Sequence, residues 1–157
     1  MIFGILARTW KLIPRKARIS LTRVTQTKFT VSAAGIITND AQEVLLLNHI
    51  LRPVSGWGLP GGFLEPYEQP EAAFRREILE ETGLEVRDVS IYRARTIRRH
   101  IEIIFLAKGV GTAEVRSREI TELDWFAIED MPGEMSLDQH FLIRRALGAD
   151  ENAQARA

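Results

Sequence analysis

The chain has 157 residues, 45% hydrophobic and 27% charged, with 21 Lys and Arg balanced by 21 Asp and Glu. This is enough apolar material for one packed core and too little length for two full-sized domains, and it excludes collagen-like, low-complexity and wholly disordered classes. Cysteine is absent, which excludes disulfide frameworks, thiolate zinc sites and cysteine nucleophiles, so any metal must be held by oxygen or imidazole.

The neutral total hides an asymmetry. Residues 1–39 carry seven basic side chains (Arg8, Lys11, Arg15, Lys16, Arg18, Arg23 and Lys28) and no acid, so the remainder has a net charge of −7. The apolar stretch Ile2 to Ala7 is broken by Arg8. It is too short to span a membrane and lacks the flanks of a signal peptide, so a cytoplasmic location is expected. Ile2, Leu6, Trp10 and Ile13 recur at helical spacing up to Pro14, and a second short helix is expected from Arg15 to about Thr25. Residues 1–28 therefore read as a basic helical extension of the kind that serves docking or dimerisation, and a homodimer is expected. Its basic face, with Phe3 and Trp10, also suits weak binding to an anionic surface. No stable nucleic-acid or membrane partner is expected.

From Phe29 the pattern turns to β-branched and small apolar residues, closed by Asn39-Asp40 and followed by Val44 to Leu47, which reads as a hairpin. A loop rich in Pro and Gly runs from Arg52 to Gly62. A helix opens at Gln69-Pro70-Glu71 and closes at Thr82-Gly83, with proline just inside its start and glycine just past its end. Further strands are expected over Glu85 to Ala94, Thr96 to Lys108 and Ile120 to Ala127, and a last helix over Leu137 to Leu147. The segment from 148 to 157 reads as a flexible tail. Strands on both sides of a central helix predict an α/β fold over residues 29–147, a mixed β-sheet between helices.

The chemistry is concentrated in Gly62 to Leu84, GFLEPYEQPEAAFRREILEETGL. Glu77, Glu80 and Glu81 stand at i, i+3 and i+4, so on a helix they project from one side within reach of a single cation or cluster. Like charges at that spacing repel, and a divalent cation removes the penalty. Oxygen ligands with no thiol favour Mg²⁺, or Mn²⁺, over Zn²⁺. Ahead of the helix, Trp57-Gly58-Leu59-Pro60-Gly61-Gly62 supplies small residues that let backbone come close to a ligand.

These residues resemble the Nudix hydrolases, whose box reads Gly, five residues, Glu, seven residues, Arg-Glu, an aliphatic, any residue, Glu-Glu, any residue, Gly, an aliphatic. Gly62, Glu68, Arg76, Glu77, Ile78, Glu80, Glu81, Gly83 and Leu84 fill every constrained position. A full match by chance is expected on the order of one time in ten million. The resemblance extends over about Thr30 to Leu147. It implies a Nudix-type α/β/α sandwich and a Mg²⁺-dependent pyrophosphohydrolase acting on a nucleotide.

Carried over residue by residue, the resemblance makes Glu77, Glu80 and Glu81 the metal ligands. Arg76 and Glu68 become supporting residues that orient the helix and pair with neighbouring carboxylates. The general base is a box glutamate, Glu80 or Glu81, or a later carboxylate, for which Glu119 and Glu122 are the candidates. Substrate contacts fall to Arg52, to Trp57 with Phe29 as stacking surfaces, to the backbone of Gly61 and Gly62, and to Arg98 or Arg99, taken to lie in a strand. His100 reads as structural. The lead-in WGLPGGFLE is closest to the branch associated with ADP-ribose and other nucleoside diphosphate sugars. Nucleoside triphosphates, RNA 5′ ends and a non-catalytic nucleotide-binding regulator are the alternatives.

Overall fold

In a computed structural model, residues 10, 12–51 and 55–148 are described. Most of the expected first helix, the tail beyond Gly148 and Arg52 lie outside them. In chain order the described residues form α1 (Arg15–Thr25), β1 (Thr30–Thr38), β2 (Val44–His49), β3 (Trp57–Gly58), β4 (Gly61–Phe63), α2 (Pro70–Thr82), β5 (Glu85–Ile97), β6 (His100–Val110), β7 (Ile120–Phe126) and α3 (Leu137–Ala146).

The strands join in one mixed sheet. Its main path is β3-β2-β1-β6-β5, with β4 added to β1 and β7 to β2. β1 runs parallel to β6 from Thr30↔His100 to Thr38↔Lys108, and β5 and β6 form an antiparallel pair. From Ala33 to Thr38, β1 is buried without alternation, as a strand covered on both faces must be. On one face Ala73, Phe74 and Ile78 of α2 pack with Ala33, Ile37, Leu45 and Leu47. On the other, Leu142 and Ile143 of α3 pack with Ala34, Ile36, Val44 and Leu46. The arrangement is the expected α/β/α sandwich.

Two departures follow from long-range pairing. The β1–β2 hairpin shares a single pair, Thr38↔Val44, because β4 takes the edge of β1 at Ser32 to Ala34 while β3 and β7 pair with β2. The expected Gly-Pro loop contains two short strands. Gly61 lies at φ 135° with its backbone against β1, where an added Cβ would stand 2.2 Å from the Ala33 carbonyl oxygen.

Two glycines set the position and end of α2. Phe74 stacks on Phe105 with centroids 5.0 Å apart, and a Cβ on Gly35 would fall 2.2 Å from the Phe74 ring. The helix therefore lies down on β1 because residue 35 has no side chain. At the other end Gly83 adopts φ 71° and donates its N–H to the Leu79 carbonyl. The following loop caps the last turn further, since the Glu114 and Arg116 N–H groups donate to the carbonyls of Thr82 and Glu81.

Candidate active site

The helix carrying the acidic triplet is held against β4, and β4 supplies the first contacts. Glu81 is only 8% exposed, and its Oε2 accepts the Gly61 N–H at 3.0 Å. An added Cβ on Gly62 would fall 2.4 Å from the Glu77 carboxylate. Two of the three box carboxylates thus meet consecutive residues of one extended backbone, an approach that a side chain on Gly62 would block.

Arg76 organises the remaining acids. Its Nε and Nη2 donate to the two carboxylate oxygens of Glu68 at 2.9 and 3.0 Å, a bidentate pair. Its Nη1 donates to Glu77 at 2.9 Å and to Glu80 at 3.3 Å, and Nη2 also donates to the Phe63 carbonyl. The hydrogen bond from Arg76, helped by the Glu65 N–H, lowers the Glu68 carboxyl from 4.5 to about 2. The bond to Glu68 in turn raises Arg76 above its ordinary value. One guanidinium therefore spans three carboxylates from two segments and offsets repulsion on the helix.

The acids do not form a ready-made cage. Among the described residues no three Asp, Glu or His side chains are gathered as a cation site, because Arg76 engages Glu77 and Glu80 while Glu81 turns to Gly61. The donor set nevertheless fits a hard divalent cation in kind, since it is all carboxylate oxygen, and the missing Gly62 side chain lets the Glu77 carboxylate lie against β4.

The other predicted residues are distributed differently. Arg98 and Arg99 are not in a strand. They form the exposed two-residue turn between β5 and β6, with Arg98 at φ 56°. So tight a reversal puts a central residue in the left-handed region. The tip is tied to β1 by the Thr30 N–H donating to the Arg99 carbonyl. Trp57 is half-buried and meets Phe126 edge-on at 5.1 Å, so its ring is a wall of the α3-side core. Asn48 pairs with both Trp57 and Glu122, and directly opposed residues share a sheet face. Glu122 therefore lies on the Trp57 side rather than the α2 side. Glu119 is exposed at the end of the loop that caps α2, with its carbonyl accepting the Ile50 N–H. Neither glutamate touches the box acids in any described contact.

The partners of three supporting groups are not legible in the sequence, although Gly61 is expected as a backbone contact and His100 as structural. The Gly61 N–H and the Phe63 carbonyl are backbone atoms that carry no residue-type signal. His100 joins Thr30 Oγ1 at 2.8 Å and Ser32 Oγ at 2.9 Å, with its ring against Phe63. Parallel pairing of β1 with β6 makes that bridge, and a strand pattern alone does not reveal it.

The family model for the NUDIX domain matches residues 28–146. A MutT-like protein of Streptomyces ambofaciens is 33% identical over 110 residues, covering 68% of this chain and 70% of that protein. A putative 8-oxo-dGTP diphosphatase of Bacillus subtilis is 31% identical, covering 66% and 70%. An ADP-ribose pyrophosphatase of Methanocaldococcus jannaschii is 33% identical, covering 73% and 70%. Among solved structures, a MutT NUDIX hydrolase from Burkholderia pseudomallei superposes with a TM-score of 0.65 at 28% identity, covering 77% of this chain and 97% of that one.

Proposed function

The chain belongs to the Nudix hydrolase family, and we propose that it splits the pyrophosphate of a nucleoside diphosphate linked to a second group, with ADP-ribose or another nucleoside diphosphate sugar as its substrate class. The products are a nucleoside monophosphate and a phosphorylated remainder. The observation that carries this reading is the convergence of Glu77 and Glu81 on the Gly61–Gly62 backbone, with Arg76 tying Glu68 to Glu77 and Glu80.

Glu77, Glu80 and Glu81 would hold Mg²⁺ or Mn²⁺, which when bound supplies charge neutralisation for the diphosphate oxygens and an acidified water. The chain's own residues do the positioning. The Gly61 N–H fixes one oxygen of Glu81. Glu68 holds the Arg76 fork rigid from outside, and Arg76 orients Glu77 and Glu80. Glu80, 59% exposed, is the box carboxylate most open to water, and either it or Glu81 is the proposed base. Glu119, Glu122, Arg98 and Arg99 stand outside this cluster, and a role for them requires substrate to extend toward the β5–β6 tip, the α2-capping loop or, for Glu122, the Trp57 side of β7.

The lead-in WGLPGGFLE and the archaeal ADP-ribose pyrophosphatase relative support the sugar-linked substrate. The Bacillus relative, at similar identity, supports a second reading, cleavage of a nucleoside triphosphate. A panel of ADP-ribose, UDP- and GDP-sugars, nucleoside triphosphates and 5′-triphosphate RNA, compared by kcat/KM, decides between them. The proposal requires a nucleoside diphosphate sugar to be preferred and its cleavage to stop with chelator and return with Mg²⁺. Preference for a triphosphate contradicts the substrate assignment, and hydrolysis indifferent to chelator contradicts the metal. A cytoplasmic location belongs to the same proposal. No helix among the described residues is long and apolar enough to cross a membrane.

A further inference from the structure

The described hydrophobic cores contain nothing from α1, and none of its residues is buried. Ala17, Leu21 and Val24 recur at i, i+4 and i+7 and so share one side of the helix. Leu21 is 51% exposed and Val24 80%, and Leu12 just ahead of the helix is 83% exposed. The rest of the helix surface carries Arg15, Lys16, Arg18 and Arg23 and no acid. On that cationic side lies a hollow of about 440 Å³, lined by Trp10 and Ile19 together with Arg15, Arg18, Thr22 and Arg23. Arg18 Nε is shielded from solvent and has no hydrogen-bond partner. A shielded donor of this kind has lost its water without gaining an acceptor.

We propose that α1 docks on the surface of an anionic phospholipid bilayer, with the arginine-rimmed hollow taking lipid phosphate and Leu21 and Val24 entering the boundary between headgroups and acyl chains. Two surfaces of one helix need covering at once, and the choice of occupant follows from that. RNA or an acidic protein surface satisfies the arginines and leaves the aliphatic stripe in water. An anionic bilayer presents phosphate and hydrocarbon within a few ångströms of each other, and long arginine side chains reach from one layer to the other. The charge distribution agrees: residues 1–39 hold seven basic groups and no acid, so the attractive segment is separate from the net-negative hydrolase domain. This inference does not rest on the hydrolase reading.

The test is sedimentation of the full chain with phosphatidylcholine vesicles and with vesicles that also contain phosphatidylglycerol. Binding to the anionic vesicles alone, reversed by salt, is expected. Arg15→Gln/Arg18→Gln/Arg23→Gln should weaken it by about 10²-fold, at roughly fivefold per basic residue. Leu21→Ser/Val24→Ser should weaken it by at least ~10-fold. Both variants should keep the wild-type thermal transition and the wild-type turnover of a soluble nucleotide, which separates lost docking from lost folding. Equal binding to the two vesicle types would overturn the proposal. So would release by inorganic phosphate beyond that by chloride at equal ionic strength, since the hollow would then be a free-phosphate site. An RNA oligonucleotide that binds α1 independently of Leu21 and Val24, or a dimer that dissociates in the triple arginine variant, would overturn it in favour of those partners.

Discussion

Glu81 is the residue on which most of the proposed chemistry turns. It is nearly buried and accepts a backbone N–H on one oxygen, and in the proposed reaction its charge helps to hold the cation. Glu81→Gln keeps the shape and an acceptor for Gly61, so it should fold normally while kcat falls by at least ~10²-fold, as when a principal electrostatic group is removed. A variant within a few-fold of wild type in steady-state kinetics would remove Glu81 from the ligand set. Arg76 acts at one remove. Arg76→Gln releases Glu68, Glu77 and Glu80 together, and the expected loss in kcat/KM is about 10–100-fold, with a raised requirement for Mg²⁺ that a purely structural role would not produce. The Glu68 carboxyl also sets a pH signature. Its folded value, about 2, lies below the ordinary 4.5. Its contribution to stability is therefore fully present above about 4.5 and is lost as pH falls from there toward 2. Glu68→Gln should flatten the loss of stability over that window in acid denaturation; an unchanged slope would show that the Arg76 pair does not govern it.

The element that delivers these side chains is α2, set down on the sheet through Gly35 and bounded in front by Gly62. Gly62→Ala puts a methyl into the Glu77 carboxylate. The expected result is a stability loss of about 1–3 kcal/mol from overpacking, with an activity loss of at least ~10-fold because the carboxylate must move. Calorimetry and kinetics on the same preparation check both. Retained activity would show that Glu77 need not sit against β4. The helix itself was legible in the sequence, because Pro70 and Gly83 punctuate it and Glu77, Glu80 and Glu81 have helical spacing. The turn at Arg98-Arg99 was not, since neither residue is a Gly, Asn or Asp that advertises a left-handed backbone. Trp57 likewise gave no sign of its destination. Its half-burial is decided by Phe126, 69 residues away in the chain, which a local pattern cannot reveal. The pairing of Arg76 with box carboxylates was anticipated from the motif; the backbone groups of Gly61 and Phe63 that complete the cluster were not.

At the scale of the whole molecule, a charge-neutral chain divides into a basic helix that lies outside the described cores and an acidic sandwich with its box helix held between β4 and the loop that caps its end. The order of the longer elements followed from local pattern, whereas strand order depended on pairings such as β1 with β6 that join residues about seventy positions apart. Three glutamates of one helix are proposed to gather a divalent cation. Titration of the full chain with Mn²⁺, followed by electron paramagnetic resonance, tests it without any assumption about substrate. The expected result is saturable binding to wild type, displaced by Mg²⁺, and affinity at least ~10-fold weaker in Glu77→Gln/Glu80→Gln/Glu81→Gln; equal Mn²⁺ affinity in the two proteins would contradict the account.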